Sequence, residues 1–400
     1  MVMAFIQFTN ALEYMALTPV FAFMAERFSV PVSFSGYVSG VYTLGAVISG
    51  MAAFYWIDRF NKKQFLIRNM LLLGTLTFFS TLTTDFGFLL ALRFCAGLVG
   101  GTTMGAGMAI LINAAPAHLR GKSVATVIAS FSMVSIVGMP VILFLSTHYG
   151  WHIALWLISS LCLLALPLIA INLPKERVLS GVKASLSLDA QTLLFASCTA
   201  LVQFSPMLII PILIPLMTQY MGVKPTLLHL LFLTGGLAGY LSTKITGILT
   251  SRLSVLTLAT ISTLLFVASL LLPVMGYHNA YLFITLFIGA SYSRLVSASV
   301  VAVRYPEDEQ RASFSSLQTA IMYLITTLAF FLSSLLLPDL GITTENLNRL
   351  LAVSIVAAAG FPIMVIILQK KLAKRSVQPD PLIIDEQKSA SGTKRTEQGS

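Results

Sequence analysis

Apolar runs about as long as a bilayer is thick recur from one end of the chain to the other, separated by short turns that hold most of the polar residues. A helix needs about 20 predominantly apolar residues to cross the hydrocarbon core. Twelve segments approach or exceed that length: residues 2–25, 34–57, 65–83, 87–113, 122–146, 151–172, 189–220, 227–249, 254–275, 280–303, 313–337 and 348–369. They predict an all-α membrane protein with twelve transmembrane helices. The first segment lacks a basic leading region, is longer than a signal's apolar core and carries Glu13 at its middle, so it reads as a mature helix and not as a secretory signal. Two stretches depart from the pattern. Residues 173–188 form a polar connector, and residues 370–400 turn to Lys, Ser, Gln, Glu and Pro, the composition of a solvated, disordered tail.

The pattern repeats. WIDRFNKK ends segment two at Asp58-Arg59 and ILTSRLS ends segment eight at Ser251-Arg252, an offset of 252 − 59 = 193 residues. AHLRGKS enters segment five at Arg120 and DEQRASF enters segment eleven at Arg311, an offset of 311 − 120 = 191. Two independent landmarks agree within two residues. The chain therefore divides into an N-terminal six-helix bundle (1–172), a cytoplasmic connector (173–188), a C-terminal six-helix bundle (189–369) and the tail. Parallel repeats with a site between them at the bilayer midplane are an arrangement that transporters use.

Composition strengthens the membrane reading. Of the 400 residues 56% are apolar and 10% charged, where soluble domains carry about a quarter charged residues. A net charge of +10 would suit nucleic acid if it were gathered on one face, but its placement follows topology. With the N-terminus inside, Lys and Arg at 59, 62, 63, 68, 120, 122, 175, 177, 183, 252, 304, 311, 370, 371, 374, 375, 388, 394 and 395 fall at or near the cytoplasmic side. Only Arg27, Lys224 and Arg349 fall outside, and Arg93, Lys244 and Arg294 lie within spans. This positive-inside bias places both termini in the cytoplasm of a bacterial-type inner membrane, with the bilayer and no nucleic acid as partner. Cys95, Cys162 and Cys198 lie in apolar stretches without metal-ligand or disulfide spacing and read as small core residues.

Intramembrane charges carry the chemistry, because each costs at least about 2.5 kcal/mol at the bilayer centre unless it faces an interior or a partner. Glu13 lies roughly 16 Å from the inner end of helix one, and Arg93 about 9 Å inward from the external end of helix four, so their depths differ by about 5 Å. Either Glu13 takes up and releases a coupling proton, with Arg93 holding it ionised in one state and withdrawing in the other, or the two form a static pair between helices one and four. Asn10, one turn before Glu13, shares its face. Arg294 has no counterpart in the first half, since 294 − 191 = 103 is Thr103. It stands between Ser291 and Ser297, and suits either an anionic or zwitterionic substrate, which a guanidinium grips bidentately, or a structural contact between helices. Lys244 reads as a residue snorkelling to the inner face. Pro206, Pro211 and Pro215, with Gln203 nearby, predict a kinked and movable helix seven. Gly97, Gly101 and Gly105 on helix four, and Gly235 and Gly239 on helix eight, predict close helix packing. Tyr14, Phe131, Tyr292 and Tyr323 are aromatic candidates for the cavity wall.

Four stretches carry a family resemblance. FYWIDRFNKK, with Asp58, Arg59, Lys62 and Lys63, resembles the G-x-x-x-D-R-x-G-R-K turn after helix two of the major facilitator superfamily. RFCAGLVGG matches the R-x-x-Q-G pattern of helix four through Arg93 and Gly97, PAHLRGK, with Arg120 and Gly121, resembles the loop before helix five, and Pro140 remains of the antiporter signature G-x-x-x-G-P-x-x-G-G. Within the superfamily the chain is most similar to the twelve-helix drug:proton antiporters. The resemblance implies a twelve-helix fold of two six-helix pseudo-repeats, and a gate latch between the Asp58 turn and helix eleven. A carboxylate there can meet the positive end of a neighbouring helix, an interaction of about 1 kcal/mol.

GKS at 121–123 resembles the end of a P-loop, but the position that requires its first glycine is Pro116, so ATP is not expected to drive the protein. No H-E-x-x-H or G-x-S-x-G is present, and the five His are scattered, so neither enzyme, metal nor cofactor is expected. The expectation is a monomeric secondary transporter that exchanges protons for a small organic solute such as a drug, a metabolite or a metal-chelating molecule. Import or facilitated passage of a small polar or anionic solute is the alternative, and a non-transporting receptor the remaining class.

Overall fold

The computed structural model describes residues 2–56, 61–114, 130, 133–173, 189–306, 311–337 and 343–377. The principal helices among them are α1 Val2–Val20, α2 Ser35–Trp56, α3 Lys62–Phe79, α4 Phe86–Ala114, α5 Met139–His148, α6 Trp151–Asn172, α7 Ala190–Ile209, α8 Leu228–Leu249, α9 Val255–Val274, α10 Ala280–Ala302, α11 Arg311–Leu336 and α12 Thr344–Val377. Nine stretches among the described residues are long and apolar enough to cross a bilayer. α1, α3 and α5 are not among them. α1 spends part of its length on Gln7, Asn10 and Glu13, α3 begins with Lys62 and Lys63 and continues through Arg68 and Asn69, and α5 is 10 residues long after a π turn at Val134–Gly138.

Short polar side chains start the helices. Asn61, Asp85, Asp189, Ser254 and Asn279 each accept a hydrogen bond from the backbone N–H three residues on, at 2.6–3.2 Å. Such caps supply partners for donors that the first turn cannot satisfy internally. Element limits depart from the sequence expectation at three places. α1 ends at Val20 and continues through 3-10 turns at Phe21–Phe23 and Ala25–Phe28. α12 runs from Thr344 to Val377, so residues 370–377 extend the helix into the stretch expected as tail. Lys370, Lys371, Leu372, Ala373, Lys374 and Arg375 are good helix formers, and no proline interrupts them before Pro379.

The third departure is in segment seven, where the expected kink is a full break. After α7 the chain passes through a 3-10 turn at Ile210–Ile212, one short helical turn at Leu213–Pro215 and a π turn at Leu216–Tyr220. Pro215 has no N–H, so the Pro211 carbonyl four residues earlier lacks its helical donor. Ser35 Oγ, on α2, donates to that carbonyl at 2.7 Å. A buried carbonyl without water needs such a partner, and here it comes from the other half of the chain.

Helices α1–α6 pack mainly on one another, as do α7–α12, and the two sets meet along α2 with α11 and α5 with α8. The α2–α11 seam runs from the predicted external side towards the middle: Ser334 Oγ donates to the Ser33 carbonyl at 2.6 Å and Thr327 Oγ1 to Thr43 Oγ1 at 2.8 Å. Ser135, in the turn before α5, lies 3.2 Å from the Tyr292 hydroxyl of α10. Cys162 and Cys198 are buried as expected, but Cys95 is exposed on the outer surface of α4, where a small apolar residue suits lipid equally well.

Candidate functional site

Glu13 and Arg93 meet inside the N-terminal set of helices. Arg93 Nη1 donates to Glu13 Oε1, and both side chains are buried, 2% and 1% exposed. Thr77 Oγ1, from α3, donates to the same oxygen at 3.2 Å. The second carboxylate oxygen, Oε2, has no hydrogen-bond partner, nor has Arg93 Nε. One oxygen is therefore held by a cation and a hydroxyl, while the other is buried without a hydrogen-bond partner among the described residues. A nearby cation favours the ionised carboxylate and desolvation disfavours it, so the balance turns on whether Arg93 stays in contact.

Tyr42 completes this cluster, and the sequence pattern did not point to it. The Arg93 guanidinium lies over the Tyr42 ring, 4.6 Å from its centroid. Glycines on α4 make room: a β-carbon on Gly97 would stand 2.0 Å from the Tyr42 carbonyl oxygen, and one on Gly100 2.1 Å from its hydroxyl. The spacing Gly97-x-x-Gly100, opposite an aromatic on the facing helix, is the signal that could have located it. The Tyr14 ring stacks on Tyr42 at 5.3 Å and meets Tyr323 of α11 edge-on at 6.1 Å. A continuous aromatic path thus leads from the ion pair to the opposite bundle. Asn10 is buried near Gly100, with its Oδ1 unpartnered.

Arg294 occupies the interior of the other bundle, fully buried. Nη1 donates to Ser205 Oγ at 2.9 Å and Nη2 to the Ala358 carbonyl at 3.4 Å, while Nε has no partner. The guanidinium lies 4.6 Å from the Phe266 ring centroid and 5.6 Å from that of Phe361. Among the described residues no carboxylate pairs with it; the ion pairs there are Arg93–Glu13 and the exposed Arg349–Glu345. Proline explains the carbonyl contact. Pro362 lies within α12 and withholds the N–H that Ala358 would otherwise receive. Ser354 Oγ donates to the Ser205 carbonyl at 2.9 Å, tying α12 to α7 beside the break.

The remaining predicted residues distribute as follows. Ser291 and Ser297 are buried and turn their hydroxyls back to carbonyls of their own helix, at 2.6 and 2.9 Å. Gln203 is half-buried on α7, two residues before Ser205. Lys244 is exposed and its Nζ lies 4.7 Å from the Tyr240 ring centroid. Lys63 donates to the Ala170 and Leu173 carbonyls at 2.7 and 2.5 Å, closing the C-terminal end of α6, where a cation also suits the helix dipole. Asp58, Arg59, Arg120, Gly121 and Phe131, and the side chain of Lys62, lie outside the described residues. Close packing at Gly97, Gly101, Gly235 and Gly239 is as the spacing predicts.

Residues 3–194 match the family model of the Major Facilitator Superfamily. The chain is 30% identical over 153 residues to the niacin transporter NiaP of Acinetobacter baylyi, a match that covers 38% of this chain and 32% of that protein. It is 22% identical over 235 residues to the uncharacterized MFS-type transporter YtbD of Bacillus subtilis, 57% of this chain and 59% of that one. The chain thus spans about a third to three-fifths of the length of these curated relatives. In three dimensions it is similar to a bacterial homolog of the human lysosomal transporter Spinster in an inward-facing, occupied conformation, with a TM-score of 0.75 at 15% identity over 95% of this chain and 97% of that one. The nucleoside transporter NupG gives a TM-score of 0.71 at 14% identity over 91% and 98%. The helices therefore adopt the major facilitator fold, and residues 3–194 match that superfamily's sequence pattern.

Proposed function

We propose that the chain is a proton-coupled secondary transporter that exports a small organic solute, with Glu13 as the proton site and Arg93 as the cation that controls it. The observation that carries this reading is the buried Glu13–Arg93 pair with Glu13 Oε2 unpartnered. Protonation of Oε2 cancels the carboxylate charge, weakens the hold of Arg93 and leaves the guanidinium on Tyr42. The stack Tyr42–Tyr14–Tyr323 gives that change a route to α11 and hence to the seam between bundles. In this mechanism residues 1–172 and 189–369 rock against one another about a midplane site, joined by the connector 173–188. Asn10, Tyr14 and Gln203, with Arg294 on α10, supply the substrate contacts. Asp58, Arg59, Lys62, Arg120 and Gly121 form the latch on the cytoplasmic side of an inner membrane, in which the chain works as a monomer with both termini in the cytoplasm. The hydrogen bonds of Ser35, Ser334 and Thr327 across the seam favour a state closed on the external side.

The test is solute flux in sealed vesicles under an imposed pH gradient, with a panel of organic compounds and with wild type beside Glu13→Gln. Export against an inward proton gradient that disappears in Glu13→Gln is the expected result. Flux of the opposite sign would make the protein an importer, and flux unchanged in Glu13→Gln would remove proton coupling from this carboxylate. For the latch, Asp58→Asn is expected to keep ligand binding and slow turnover; equal loss of both would exclude a latch role.

A further inference from the structure

Arg294 is a fully buried guanidinium with no carboxylate partner among the described residues, and its unmet hydrogen bonds are not randomly placed. Nε and Nη2 share one edge of the group, the edge that grips a carboxylate through two parallel N–H···O bonds. The protein satisfies the far corner well, through Nη1 and Ser205 at 2.9 Å. On the near edge Nε has no partner and Nη2 has only the long 3.4 Å contact to Ala358. The Phe266 and Phe361 rings cover the guanidinium and make no hydrogen bond to it, so nothing in the cage competes for that edge except one weakly bound carbonyl.

We propose that the Nε–Nη2 edge of Arg294 docks the carboxylate of the transported solute, so that the protein handles organic monocarboxylates. This deepens the transport reading above and rests on it. A charge left unpaired inside a bilayer is costly, and an anionic ligand offsets that cost only while it is bound, which favours binding over permanent packing. The surroundings fit a site that opens and closes. Ser205 immediately precedes Pro206, and α7 gives way to irregular turns after Ile209. The Ala358 carbonyl is free for Arg294 because Pro362, inside the continuous α12, has no N–H to donate to it. Transporter sites at mid-membrane are commonly built beside such discontinuous helices. α7 is the element that moves to admit the ligand, because it supplies the Ser205 contact and has the break next to it.

The test uses the purified full chain in lipid nanodiscs at fixed pH, without a gradient. Equilibrium dialysis compares benzoate with benzamide, a carboxylate and its neutral amide of nearly the same shape. Wild type is expected to bind benzoate at least about tenfold more tightly, a difference of about 1.4 kcal/mol. Arg294→Gln is expected to bring benzoate down to the benzamide level. Arg294→Lys keeps the charge but loses the fork, and falls between them; it also serves if Arg294→Gln does not fold. Glu13→Gln is expected to keep benzoate binding, which separates this proposal from proton coupling: benzoate binding intact beside a flux that is the same in wild type and Glu13→Gln sinks only the earlier reading. Absence of benzoate binding in wild type, equal binding of the two probes, or unchanged discrimination in either folded Arg294 variant would overturn the proposal.

Discussion

Among the described residues each half of the chain buries one arginine, and the two are stabilised by different means. Arg93 has an anion within the protein, a hydroxyl on that anion and an aromatic face beneath it. Arg294 has two aromatic faces, one serine and one proline-freed carbonyl, and no anion among the described residues. The repeat makes the contrast sharper. Thr103, the first-half position matching Arg294, accepts a hydrogen bond from Asn69 at 3.2 Å in a neutral polar cluster. The N-terminal bundle thus carries an internally neutral charge pair and the C-terminal bundle an uncompensated charge. On the mechanism proposed above the pair is a switch that a proton throws, and the lone cation is the dock for an anionic solute.

Thermal unfolding in detergent tests that difference most directly. Glu13→Ala leaves Arg93 buried without its anion, and breaking a buried pair in this way costs about 3–5 kcal/mol. Its unfolding midpoint is expected to fall steeply. Arg294→Met removes an unpaired charge and keeps comparable bulk between the two Phe rings, so the ligand-free midpoint is expected to stay level or rise. A comparable fall in both variants would show that Arg294 is a structural tie, and the contrast between the bundles would collapse.

The next largest effect concerns how each bundle brings its helices together. Gly97→Ala drives a methyl group into the Tyr42 carbonyl, main chain that cannot step aside, and overpacking of this kind costs about 1–3 kcal/mol. Gly235→Ala, between α8 and α10, meets the Ile284 side chain at 2.8 Å, which can rotate away. The first substitution should lower the unfolding midpoint and displace Tyr42 from Arg93, weakening pH-driven flux as well. The second should lower the midpoint by less than half as much and leave the pH dependence alone. Equal effects would mean that α2 and α4 are not held rigidly at Tyr42.

Much of this was legible in the sequence because bilayer physics is unforgiving. The all-helical membrane fold, an irregularity in segment seven and the depth match of Glu13 with Arg93 follow from run length, proline and helical rise. What remained hidden depends on rotation about helix axes. Tyr42 belongs to the ion-pair cluster only because Gly97 and Gly100 face it, and one sequence does not reveal which side of α2 turns towards α4. Ser291 and Ser297 formed an inviting polar stripe, yet both hydroxyls bond to their own helix, a local option that Ser always has. Lys63, grouped with a gate by its motif, closes the end of α6. The extension of α12 through residues 370–377 was obscured by charge, since a polar helix beyond the membrane has the same composition as a tail.

Pro362 offers the finest test, because it links backbone chemistry to the unpaired arginine. Replacing it with alanine returns an N–H to the Ala358 carbonyl and lets α12 complete its helical hydrogen bond. That carbonyl then has less reason to face Arg294, and Nη2 joins Nε as an unfilled donor. If the edge is a carboxylate site, removing this internal competitor should tighten benzoate binding, by about twofold to twelvefold given that a hydrogen bond is worth roughly 0.5–1.5 kcal/mol net. The unfolding midpoint should move little, because the new helical hydrogen bond and the arginine hydrogen bond it replaces are of similar strength. If instead the Ala358 carbonyl holds Arg294 in place for purely structural reasons, Pro362→Ala should lower the midpoint and leave benzoate binding unchanged or weaker. The sign of the affinity change, measured beside Arg294→Lys in the same dialysis experiment, therefore separates a site waiting for an anion from a cation already at rest.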